Sequence, residues 1–128
     1  MPRPRAAGAL LYAKDMPRLS AFYQELLGMT VLVADDDHQV IENADCQLII
    51  HAIPPHIAAT FTISTPPEPR EEASIKLFFT VPALSTAGDV ALRMGGALIG
   101  ETYVFGAMFI RIGFDVEGNI FHLRAPAP

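Results

Sequence analysis

Short apolar runs broken by polar or turn-forming residues dominate the chain, and only two stretches carry helical spacing. Residues 8–13 are an apolar run that predicts a strand, and Asp15 and Pro17 then supply a cap and a first-turn proline for a helix. Leu19, Phe22, Tyr23, Leu26 and Leu27 recur on one face of that helix, and Gly28 is placed to end it. Beyond it, TVLVA, QVIEN and CQLIIHAI are separated by polar breaks at 35–38 and 43–45, which predicts three short strands in a meander. Asp35, Asp36 and Asp37 read as a solvated turn.

Residues 54–73 hold PPH and PPEPREEA and read as a linker with at most one short strand, TFTIS. The order then repeats. IKLFFTV at 75–81 predicts a strand, Pro82 stands near a helix start, and Ala87, Val90, Ala91 and Met94 keep helical spacing before Gly95 and Gly96. ALIGE, TYVFGAMFIRIGF and IFHLRA, with a turn at 115–119, predict three more strands. An offset of 68 carries Gly8 to Lys76, Leu19 to Ala87, Phe22 to Val90, Tyr23 to Ala91, Leu26 to Met94 and Gly28 to Gly96. The chain therefore reads as two copies of one strand-helix-three-strand unit, at about 7–53 and 74–126.

Composition narrows the possibilities. With 128 residues, 51% of them hydrophobic, the chain is sized for one domain with a sizeable core. A formal net charge of −5, with nine scattered basic residues, argues against a nucleic-acid partner. The single cysteine, Cys46, forms no internal disulfide and suits a reducing compartment. The opening MPRPRAAGALLYAK has two arginines ahead of an apolar run, but the run stops at Lys14 and reads as a strand rather than a leader. No apolar stretch reaches the ~20 residues that span a bilayer. Together these point to a cytoplasmic protein without a membrane partner.

Two segments around the duplication carry a family likeness. AKDMPRLSAFYQELLGM and DVEGNIFHLRAP are similar to the first strand-to-helix segment and the closing turn and strand of the vicinal oxygen chelate superfamily, which includes glyoxalase I, extradiol dioxygenases, fosfomycin-modifying enzymes and bleomycin-resistance proteins. The resemblance implies an α+β fold of two βαβββ modules, whose curved mixed sheets form a cup with the helices outside. Metal-using members offer two ligands per module, and the corresponding positions here are Gly8, His51, Lys76 and His122. Glycine has no ligand atom, and a lysine ammonium repels a cation. The expectation is therefore no cofactor; a divalent metal, if present, would fall to His51 and His122.

Strand alternation adds neighbours to those positions. Leu10 and Tyr12 share a face with Gly8, Ile49 with His51, Phe78 with Lys76, and Ile120 with His122. A mixed apolar and polar lining of this kind suits a small ligand. Because His51, Lys76 and His122 can carry positive charge but not negative, an anionic or carbonyl-bearing molecule is favoured. Taken singly, each histidine also fits a hydrogen-bonded structural role, and Lys76 a solvated strand start. His38 and His56 read as solvated. Two functions follow: a metal-free binding protein for a small molecule, or an enzyme. The enzyme is either a metal-dependent lyase or dioxygenase, or a metal-free one using His51 or His122 as base. The resemblance also implies a homodimer.

Overall fold

The computed structural model describes residues 5–127. The arginine at position 3 of the opening segment lies outside them. Contacts divide the chain after Thr62 into two units.

In the first unit, β1 (Ala9–Ala13) runs into α1 (Met16–Leu27), followed by β2 (Thr30–Ala34), β3 (His38–Glu42) and β4 (Gln47–Ala52). The cap reads as the sequence predicts: the Asp15 carboxylate accepts from Arg18 N at 3.3 Å, and Gly28 ends the helix at φ 62°. Only glycine adopts that left-handed conformation without strain. The sheet order is β1-β4-β3-β2, with β1 parallel to β4 and the other pairs antiparallel. Leu19, Phe22, Tyr23 and Leu26 of α1 are buried with Ile41, Leu48 and Ile50 on one face of the sheet. Each such side chain contributes about 1.5–3 kcal/mol on burial.

The second unit repeats the plan with β5 (Leu77–Thr80), α3 (Leu84–Arg93), β6 (Ala97–Phe105), β7 (Met108–Phe114) and β8 (Ile120–Pro126), in the sheet order β5-β8-β7-β6. Its core is Phe79, Ala87, Ala91, Phe121 and Leu123. The two βαβββ modules are thus present, each a four-stranded mixed sheet with a helix on one face. The offset of 68 holds from Ala9 and Leu77 through Met16 and Leu84, and then drops by one. Gly96 N bonds to Ala91 O as Met29 N bonds to Gln24 O, so Gly95, at φ 97°, is the counterpart of Gly28.

The stretch at 54–73 differs from a simple linker. A single-turn helix, α2 (Pro55–Ala58), starts at its prolines, and TFTIS forms no strand. Its end is pinned, since Arg70 N donates to Gly118 O at 2.8 Å and an added Cβ on Gly118 would stand 2.3 Å from Glu68 O. No helix among the described residues is long and apolar enough to cross a membrane.

Candidate functional site

Each sheet has one face against its helix and one without. In the first unit the helix-free face carries successive rows across β1, β4 and β3: Leu10, Ile49 and Val40, then Tyr12, His51 and His38. Leu10 and Tyr12 are each 55% exposed, and His51 is half-buried between its neighbours. The Tyr12 ring lies 5.0 Å from the His51 ring, and the His38 ring stacks on the other side at 6.1 Å with an interplanar angle of 19°.

Hydrogen bonds fix how both imidazoles present themselves. His51 Nδ1 is 2.8 Å from Ala52 O, and a carbonyl only accepts, so Nδ1 donates and the neutral ring offers its lone pair at Nε2. His38 Nδ1 is 2.9 Å from Asp35 Oδ1, which orients the second ring in the same way. That carboxylate is itself held. It accepts from Asp37 N at 2.8 Å and His38 N at 2.9 Å, and these backbone donors, assisted by the imidazole, keep it below its ordinary 3.8. The acidic run is therefore an Asx turn that positions a histidine. His38 belongs to a strand and not to a solvated turn. The signal for it was its spacing of two from Val40, on a strand that has to run antiparallel to β4 opposite His51.

In the second unit the helix-free rows are Phe78, His122, Ile112 and Ile99, then Thr80, Arg124, Ile110 and Tyr103. Phe78 is 62% exposed, whereas Ile120 is buried and presents almost no surface to a ligand. Lys76 stands before β5, exposed, with Nζ donating to Glu71 O at 2.9 Å. The pairing also revises which positions correspond between units. Leu10 and Phe78 are counterparts, facing Ile49 and His122, and Tyr12 and Thr80 are counterparts, facing His51 and Arg124. His51 thus matches Arg124, and His122 matches Ile49. Sequence reasoning aligned the two histidines with each other and did not single out Arg124.

The donor set for a metal does not fit. A Cβ on Gly8 would lie 2.2 Å from the Gln47 carbonyl oxygen, so this first-strand position has no ligand atom and no room for one. Lys76 Nζ acts as a hydrogen-bond donor. Among the described residues of either unit, no three His, Cys, Asp or Glu side chains come together to hold an ion.

A cleft of about 740 Å³ also opens in the first unit, between Lys14, Asp35, Asp36, Ile53 and Pro55. Its cation is committed, for Lys14 Nζ donates to the carbonyls of Ala58 and Phe61 and lies 4.9 Å from the Phe61 ring centroid.

No family model matches the sequence, and a search among curated proteins finds no relative. Solved structures do match. A glyoxalase/bleomycin resistance protein/dioxygenase family enzyme from Burkholderia phytofirmans PsJN superposes with a TM-score of 0.69 at 19% identity, covering 92% of this chain and 95% of that chain. The chain has the vicinal oxygen chelate fold. Two further structures with this fold are the fosfomycin resistance proteins FosX of Listeria monocytogenes, complexed with Mn(II) and sulfate, and of Mesorhizobium loti. Their TM-scores are 0.69 and 0.66, at 13% and 10% identity. The first covers 96% of this chain and 90% of its own, the second 96% and 92%. At such identities the vicinal oxygen chelate likeness is one of backbone, and the chemistry has to be read from this chain's own side chains.

Proposed function

We propose that this protein binds a small anionic or carbonyl-bearing molecule on the helix-free faces of its sheets, and does so without a catalytic metal ion. The observation that carries this reading is the Tyr12, His51 and His38 row. Both imidazoles are tied at Nδ1 and offer Nε2 beside an exposed phenol and the apolar Leu10 and Ile49. Such a surface donates to an oxyanion from Nε2 when a ring is protonated, and accepts a proton or hydrogen bond at Nε2 when it is neutral. A protein of the same fold, a mutant of FosX of Listeria monocytogenes, is solved with Mn(II) and 1S,2S-dihydroxypropylphosphonic acid, a small anion. The misfit at Gly8 and Lys76 argues that the present chain keeps the binding of a small molecule and not the metal.

A thermal-shift screen of anionic, carbonyl and cationic metabolites tests the reading. Stabilisation by anionic or carbonyl compounds, reduced in His51→Ala or His122→Ala, is expected. A screen in which cations alone stabilise the protein would refute it. The second reading is a metal-free enzyme with His51 or His122 as base, favoured by the Nε2 that the Ala52 carbonyl leaves free on His51. Turnover of a screen hit, abolished in the alanine variant, would establish it.

An exposed sheet edge supports a reading of the assembly. β2 is an edge strand whose Val31, Leu32 and Val33 are exposed, and pairing between copies covers such an edge. A homodimer is proposed, and a monomer in sedimentation at micromolar concentration would exclude it. The unpaired Cys46 favours the cytoplasm.

A further inference from the structure

The helix-free face of the second unit holds a cation that the sequence did not flag. Arg124 is exposed on β8, two residues from His122 and therefore on the same face. Two contacts hold it in place. Its Nε donates to Thr80 Oγ1 at 2.8 Å across the β5–β8 pair, and its guanidinium carbon lies 4.8 Å from the centroid of the Phe78 ring. Among the described residues no carboxylate forms an ion pair with Arg124.

A guanidinium fixed at Nε and stacked by one plane keeps its two terminal nitrogens for a ligand, in the fork that matches a carboxylate. Ordering is most of what a flexible arginine loses on binding, and here Thr80 and Phe78 have already imposed it. Beside the fork the surface is apolar, with Ile110 next to Arg124 across the β7 pair and Ile112 next to His122.

We propose that Arg124 is the anion-recognition residue of this face, clamping the carboxylate of a ligand whose apolar body rests on Ile110 and Ile112. Thr80 and Phe78 are its positioning residues. The inference rests on the small-molecule reading above and assigns a chemical class to its ligand.

Benzoate and its neutral isostere benzamide are suitable probes, titrated into the isotope-labelled full chain and followed by NMR. Benzoate is expected to shift the amide signals of Thr80, His122 and Arg124, and benzamide to leave them in place. Arg124→Gln weakens benzoate binding about tenfold or more, as loss of a charge-assisted bidentate contact requires. Arg124→Lys restores part of the affinity, since it keeps the charge and loses the fork. Thr80→Val, which frees Nε without touching the ligand, weakens binding by a smaller factor. Equal shifts from benzoate and benzamide, benzoate shifts confined to other parts of the chain, or unchanged affinity in folded Arg124→Gln would each overturn the proposal. The first two comparisons use the native chain and hold even if that variant does not fold. A screen hit that binds this face equally well in Arg124→Gln removes the role of Arg124 and leaves small-molecule binding standing, whereas a screen without hits removes small-molecule binding itself.

Discussion

Gly8 shows how a single residue decides a chemical question. Sequence alignment with the fold's ligand positions puts a metal ligand there and finds glycine, which raises the question of whether a longer side chain was lost or never fitted. In the present backbone any Cβ at this position meets the Gln47 carbonyl at 2.2 Å, so a side chain here requires β1 and β4 to shift apart. Gly8→Ala is expected to lower stability by about 1–3 kcal/mol through overpacking, measured by urea unfolding. An unchanged midpoint would show that β1 and β4 separate easily and that the position could host a ligand. Asp35 gives a second residue-scale expectation. Its carboxylate is held below 3.8 in the folded chain by the Asp37 and His38 N–H groups, so its contribution to stability is complete above that value and is lost as pH falls through the lowered folded one. Asp35→Asn, which cannot titrate, should flatten the stability profile below about pH 4 in denaturant titrations. A profile of unchanged slope would show that the Asx turn is not coupled to folding. His38 was the residue least legible in the sequence, because a histidine beside three aspartates looks solvated until the strand pairing sets it opposite His51.

At the scale of elements, strands and helices were legible where local chemistry sets them and illegible where pairing does. Asp15, Pro17 and Gly28 bracket α1 by capping and backbone preference, and the observed helix obeys them. The one-residue drop at Gly95 and the correspondence of His51 with Arg124 come from hydrogen-bond register, which spacing along one chain does not encode. The turn between β7 and β8 is the best example of a local device supporting a site. Asp115 is fully buried, and its carboxylate accepts from Glu117 N, Asn119 N and Asn119 Nδ2 at 2.9–3.2 Å. Asp115→Ala would strand these donors and should cost about 2–4 kcal/mol, seen as a lower midpoint in chemical denaturation. If the loss is under about 0.5 kcal/mol, the loop is held by the contact of 68–70 with Gly118 instead. The same reasoning explains why 54–73 looked like a linker, since proline-rich composition describes the local chain and not the partner that pins it.

Across the whole molecule, the duplication was legible and the chemistry was not, because a βαβββ unit tolerates any side chain on its helix-free face. The vicinal oxygen chelate fold places two such faces in one chain, and the chain furnishes them differently: a tyrosine–histidine–histidine row in the first unit, and His122 with a pinned arginine in the second. That asymmetry separates the metal-free reading from a metal-dependent one quantitatively. A divalent ion with a dissociation constant near 1 μM, supplied at 100 μM, would stabilise the folded chain by about 2.7 kcal/mol, a rise in Tm of roughly 10 °C for a domain of this size. With Gly8 and Lys76 unable to coordinate and two histidines left, the expected rise with Mn(II), Ni(II) or Zn(II) is within about 2 °C, and the same in His122→Ala. A rise near 10 °C that disappears in His51→Ala or His122→Ala would mean that the two imidazoles recruit the ion despite the missing ligands. The enzyme reading would then regain its metal.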